Sequence, residues 1–192
     1  MYKRQIIIGT LIATARVVPK TNPLVKILDW IARLYVSFFR GTPIVVQLLL
    51  FYYVLMPLLS INLKSVPVAV VVFGLNSGAY ISEIMRAGIL SVDSGQMEGG
   101  RSVGLSFGTT MIKIIIPQAV KTILPAMGNE FIQLIKETSI LGYVGIMDLT
   151  KAASYVSSRT YQMFIPLIVA GIMYYLIVKC LSLLLKRFER RL

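Results

Sequence analysis

Three long stretches of this chain carry almost no charge, and that feature restricts its fold more than any other. Pro43 to Leu63 holds one glutamine, one serine and one asparagine among its apolar residues, and no charged residue. Val66 to Ile84 has a single charge, Glu83, near its end, and Tyr161 to Val178 has none. A bilayer core about 30 Å thick is crossed by roughly 20 apolar residues of helix, and each stretch is about that long. Buried helices of a soluble domain rarely run so far without charge, and such domains carry about 25% charged residues. Here 15% of the 192 residues are charged and 56% are hydrophobic. The chain reads as an all-α, multi-pass membrane protein in which residues 1–192 form one domain.

The net charge of +12 raises the question of nucleic acid, and the placement of the charges answers it. Arg16, Lys20, Lys26, Arg33 and Arg40 precede the first apolar stretch, and Arg86, Arg101 and Lys113 follow the second. Lys179, Lys186, Arg187, Arg190 and Arg191 lie at the end, whereas Lys64 stands alone between the first two stretches. This asymmetry is the positive-inside bias of cytoplasmic loops, so no nucleic-acid partner is expected. Cys180, the one cysteine, lies in an apolar helix, where a small buried hydrophobe is the simplest reading.

Ile6 to Val18 is apolar but short for a crossing, and no cleavage site of a secretory signal follows the basic start. A first helix lacking its outer half is expected, with Met1–Gln5 not necessarily native. Thr21-Asn22-Pro23 punctuates a turn. Leu24 to Phe39 is amphipathic: Lys26, Asp29 and Arg33 fall on one face, and Leu24, Ile27, Leu28, Ile31, Leu34 and Phe38 on another, which with Trp30 and Tyr35 suits a membrane interface. Thr42 is expected to N-cap the next helix, with Pro43 at its first position. Spans are expected over about 43–63 and 66–85. Ser91 to Gly108 is too polar and glycine-rich for lipid, and its basic flanks place it in the cytoplasm, as does the basic tail. An even number of crossings must separate these two cytoplasmic points. One is Tyr161 to Leu185, so a second must lie between about Pro117 and Tyr143 despite its weak hydropathy. The total is five transmembrane helices, the first one truncated, with the C-terminus cytoplasmic.

From Glu98 the chain reads Glu-Gly-Gly-Arg-Ser-Val-Gly, and after nine residues Ile-Ile-Ile-Pro. Four glycines, Gly99, Gly100, Gly104 and Gly108, lie close together, although each costs roughly 1 kcal/mol in a helix interior relative to alanine. Close approach by a partner backbone is one reason for them, and Glu98 can accept hydrogen bonds from that partner or from its own loop. The chain holds no Gly-x-x-x-x-Gly-Lys-Ser/Thr phosphate loop, so it binds no cofactor itself, and any ATP with its Mg must be held by another subunit.

This segment resembles the signature loop of ABC-importer permeases: Glu-Ala-Ala, three residues, Gly, nine residues, Ile-x-Leu-Pro. Glu98, Gly104, Ile114 and Pro117 fall at its positions without a gap. Gly99 and Gly100 stand for the alanines, and Ile116 for leucine. Tyr35, Phe39-Arg40-Gly41-Thr42-Pro43, Gln47, Ala79-Tyr80-Ile81-Ser82-Glu83-Ile84, Arg86-Ala87-Gly88-Ile89 and Glu137-Thr138-Ser139 resemble the branch that moves polar amino acids (histidine, glutamate, glutamine, arginine and opines). The resemblance implies a type I importer permease in the bacterial cytoplasmic (inner) membrane. It implies a second copy or a sister permease, two ABC ATPase subunits, an extracytoplasmic solute-binding protein and a small polar amino acid as cargo. It assigns ATPase coupling to Glu98, Gly99, Gly100, Gly104, Ile114 and Pro117, with Pro117 as the first residue of the fourth span, where its missing N–H is harmless.

Polar residues at membrane depth are costly and usually face an interior cavity. Asn76, Tyr80 and Glu83 share one face of the third span, spaced four and three apart. Asn129, Gln133 and Glu137 share a face of the fourth, with Glu130 and Lys136 beside them and Pro125 and Gly128 just before. These seven (Asn76, Tyr80, Glu83, Asn129, Glu130, Gln133 and Glu137) either line a path for a zwitterionic cargo or hydrogen-bond between helices. No catalytic residue and no metal ligand set is expected. Gly104-Leu105-Ser106-Phe107-Gly108 matches the Gly-x-Ser-x-Gly nucleophile elbow, but the chain has no histidine to act as base. An ion-gradient-driven transporter or a channel for small polar solutes is the alternative. Neither has a reason for the spacing from Glu98 to Pro117.

Overall fold

The computed structural model describes residues 2–17 and 22–190, with side chains from Gln5 onward, and every element described is helical. Lys20, Thr21, Arg191 and the end of the Ile6–Val18 stretch lie outside the described residues. The helices are α1 (Tyr2–Val17), α2 (Pro23–Gly41), α3 (Ile44–Leu58), α4 (Ser65–Leu90), α5 (Ser94–Ser102), α6 (Phe107–Val144), α7 (Leu149–Thr160) and α8 (Phe164–Glu189). Among the described residues, α4, α6 and α8 are long and apolar enough to cross a membrane. Taken together, α2 and α3 qualify as one further interrupted span, and Gln5–Val17 is a shorter apolar helix. The weakly hydropathic window around Pro117–Tyr143 is thus helical throughout, as parity of crossings requires.

Backbone contacts group the chain into two compact units, one of residues up to Gly41 with Ser77–Gly128, the other of Thr42–Asn76 with Asn129 onward. In the first, α1 packs on α2. Ile81, Ala119, Ile123 and Met127 form a buried core, joined by Ile6, Ile84, Met85, Ile89 and Val92. The helices approach closely there: a Cβ on Gly9 would meet Ile81 Cγ2 at 2.5 Å. In the second unit α7 packs on α8, and α3 packs on the 3₁₀ turn Thr138–Val144 that ends α6. Tyr53 Oη donates to the Tyr143 carbonyl at 3.1 Å across that contact.

Prolines shape two of these helices in a way the sequence did not suggest. Pro117 does not open the fourth span. It lies ten residues inside α6, which starts at Phe107. A proline ring within a helix collides with the carbonyl four residues back and offers no N–H. Here Met111–Ile115, the turn containing that carbonyl, is π-helical, and so is Leu50–Leu55 ahead of Pro57 in α3. The wider turn makes room for the ring, and the helix continues.

Three further expectations are corrected. The residue that caps α3 is Pro43, with no side-chain hydrogen bond. Thr42 instead accepts from the Gln47 amide, through its carbonyl at 3.0 Å and its hydroxyl at 2.8 Å. Asp29 belongs to the buried face of α2, with Ala32, Val36 and Phe39, and is held by Arg33 at 2.5 Å. Cys180 is exposed, because α8 turns almost all of its apolar surface outward. Helix α7 was not anticipated at all. Its start is marked by Asp148, whose Oδ1 accepts from the Lys151 N–H at 2.5 Å. Its end is marked by Tyr161 in a left-handed conformation, φ +58°, which nothing in the sequence announces.

Candidate functional site

The segment from Glu98 to Pro117 is built from its caps inward. Asp93 starts α5 by accepting the Gly95 N–H at 2.6 Å. The far end closes through two backbone bonds, Leu105 N–H to the Gly100 carbonyl at 3.2 Å and Gly104 N–H to the Arg101 carbonyl at 3.1 Å. That pattern places the residue after the helix in the left-handed region. Gly104 is that residue, with φ +88°, so the signature glycine is required by the turn before any partner is considered. The serine of Gly-x-Ser-x-Gly is also explained. Ser106 Oγ accepts the Thr109 N–H at 3.1 Å and caps α6.

Gly100 is the buried member of α5. A Cβ there would meet Thr110 Cγ2 at 2.5 Å and Ile114 Cδ1 at 3.3 Å, so α5 rests directly on the start of α6. Thr110 is fully buried and its hydroxyl bonds the Ser106 carbonyl at 3.0 Å. Gln118 Nε2 reaches the Ile114 carbonyl at 2.9 Å and Gln96 Oε1 at 3.3 Å. Glu98 and Gly99 face outward. Glu98 has no hydrogen-bond or ion-pair partner among the described residues, and Gly99 has open space where a Cβ would stand. The structure therefore brings Gly100, Gly104 and Ile114 into one self-packed joint and leaves Glu98, Gly99 and the exposed Pro117 at the surface. The glycine pair forms a capped helix, not a slack loop.

The polar residues of α4 are largely taken up internally. Asn76 is 3% exposed, and its Nδ2 donates to Gln47 Oε1 at 3.0 Å, extending the link to Thr42. Glu83 Oε2 takes Arg16 Nη1 at 2.5 Å, and its Oε1 takes Arg86, whose Nε lies 3.0 Å away. Arg40 stands 3.9 Å from Oε2, with its guanidinium 5.3 Å above the Tyr80 ring. The polar row of α6 differs: Asn129, Gln133 and Lys136 are exposed, and Gln133 Nε2 meets Glu137 Oε1 at 3.3 Å. Glu130 and Glu137 are half-buried. Residues that the spacing argument passed over are Thr110, Arg16 and Gln47. Only Gln47 left a signal, as part of the block shared with amino-acid permeases.

Residues 5–192 match the family described as "Binding-protein-dependent transport system inner membrane component". This chain belongs to that family. The permease is 44% identical to the "Arginine transport system permease protein ArtQ" of Bacillus subtilis over 163 residues, 85% of this chain and 74% of that protein. It is 38% identical to the "Putative glutamine transport system permease protein GlnP" of Rickettsia typhi over 97% of this chain and 84% of that protein. It is 41% identical to the "L-cystine transport system permease protein TcyB" of Bacillus subtilis over 88% and 72%. In three dimensions it superposes on a chain of a crystallised amino acid ABC transporter with TM-score 0.90 and 39% identity, over 99% of this chain and 86% of that one. A chain of the inward-facing MetNI methionine ABC transporter has TM-score 0.73 at 18% identity, which shows the shared fold. The permease is thus a membrane-embedded transport component with the type I importer fold.

Proposed function

We propose that this permease forms the path for polar amino acids through the bacterial cytoplasmic membrane in an ATP-driven importer. A separate ATPase docks at Glu98–Pro117. The names of the relatives, which include arginine, glutamine and cystine permeases, support the cargo class. The observation that carries the docking reading is Glu98, an exposed, unpartnered carboxylate on a helix capped at both ends and seated on α6. A rigid helix of this kind transmits displacement, which a loose loop would absorb. Five crossings with a cytoplasmic C-terminus fit the charge bias. The working assembly is two permeases (two copies, or this chain with a sister), two ATPase copies that hold ATP and Mg, and an extracytoplasmic binding protein. The cargo path follows the exposed Asn129 and Gln133 with the half-buried Glu130 and Glu137. On α4, Asn76 and Glu83 serve as scaffold, each held by its own neighbours.

The decisive experiment is reconstitution with the candidate ATPase and binding protein, with ATP hydrolysis measured as each amino acid is added. One or a few polar amino acids are expected to stimulate hydrolysis. Glu98→Lys or Gly104→Trp is expected to abolish ATP-coupled uptake while membrane insertion stays normal. Full uptake by both variants would remove docking at this helix.

A further inference from the structure

Helix α2 presents three distinct faces. Asp29, Ala32, Val36 and Phe39 are buried. Leu24, Ile27, Leu28, Ile31, Leu34 and Phe38 form a stripe that is 49–66% exposed. The third face is a row of cations, Lys26, Arg33 and Arg40, spaced seven apart and all exposed. Seven residues fall only about 20° short of two full turns, so the row stays aligned along about 21 Å of helix. It lies roughly 150° around the helix from the centre of the apolar stripe.

A helix in water would not expose six large apolar side chains in a line, and one across a bilayer would not keep three exposed cations along its length. An apolar stripe with a basic row across the helix from it is the pattern of a helix lying in the headgroup region. Arg40 adds a specific site. Both oxygens of Glu83 are already engaged by Arg16 and Arg86. Three guanidiniums around one carboxylate leave two positive charges uncompensated. The Arg40 side chain is 41% exposed. Its N–H groups have no hydrogen-bond acceptor among the described residues, while the Tyr80 ring holds the guanidinium in place. Lys26 likewise has no partner among the described residues. Arg33 is 58% exposed beyond its bond to Asp29.

We propose that the Lys26–Arg33–Arg40 row is a binding edge for anionic phospholipids, with a lipid phosphate completing the charge balance at Arg40. This does not depend on the cargo or on the ATPase. The test carries the full chain, with whatever subunits accompany it, in nanodiscs of equimolar phosphatidylglycerol and phosphatidylcholine, and native mass spectrometry counts the retained lipid. The parent should retain phosphatidylglycerol preferentially. Lys26→Gln combined with Arg40→Gln should reduce that preference by about fivefold for each cation removed. Arg40→Lys should keep most of it, and Arg159→Gln, which removes an exposed cation on α7, should leave it unchanged. Lys26→Gln alone gives the same reading if the double variant is not recovered folded. Equal preference in the parent and the glutamine variants overturns the proposal. So does displacement of the lipid by millimolar inorganic phosphate, which would mark a site for a free anion.

Discussion

The polar rows of α4 and α6 look alike in sequence and behave oppositely in the structure. Each sets amides and acids three or four residues apart on an apolar helix. On α4, Asn76 is buried against Gln47, and Glu83 is surrounded by Arg16, Arg86 and Arg40. On α6, Asn129 and Gln133 are exposed, and Gln133 makes a long contact to Glu137. A polar group at membrane depth can be retained because it joins helices or because something passing by needs it. Spacing is the same in both cases, and only the partners separate them. On α4 the row joins helices, whereas on α6 Asn129 and Gln133 stay at the surface.

Three substitutions press on that contrast, the largest effect first. Glu83→Gln removes the charge facing three guanidiniums. The cluster is only partly buried, so the loss should be about 2–3 kcal/mol, the worth of its charged hydrogen bonds, and the thermal midpoint in detergent should drop clearly. A midpoint equal to the parent's would mean that Glu83 joins nothing on α4. Asn76→Ala removes the bond from Asn76 Nδ2 to Gln47 Oε1 and should cost about 1–2 kcal/mol, visible as a smaller loss of midpoint. Gln133→Ala should change stability by less than about 0.5 kcal/mol but slow uptake by up to about tenfold, the worth of one hydrogen bond to cargo. If Gln133→Ala lowers the midpoint and spares transport, the two rows have the same role.

Much of this was legible before any coordinates. Long uncharged runs reveal membrane helices because the bilayer imposes length and composition together. The parity of crossings located α6 where hydropathy alone was weak. Gly104 stood out by its spacing, although its reason is a left-handed turn and not room for a partner. Other features depend on information that is not local. Asp29 sits among helical neighbours that fit a polar face equally well, and only tertiary packing decides that it is buried. Pro117 obeyed the rule for a first-turn proline, but a neighbouring π-helical turn offered another way to accommodate it. Helix α7 was passed over because its serines and threonines blur its apolar period, although Asp148 three residues before Lys151 was a usable capping signal.

The π-helical turn at Met111–Ile115 has one more consequence. An α-helix advances about 100° per residue, and a π turn holds one residue more than an α turn. That extra residue sets the phase between the two ends of the joint. Thr110 points at Gly100, while Ala119, Ile123 and Met127 point at Ile81. Were all five residues to wind as α-helix instead, everything beyond them would rotate by about 100°, swinging Ala119 out of the core it now fills, whereas removing one residue would let an ordinary α turn keep the phase. The stretch should therefore tolerate the loss of one residue far better than the gain of one, as a slack link can be taken out of a chain without moving its ends.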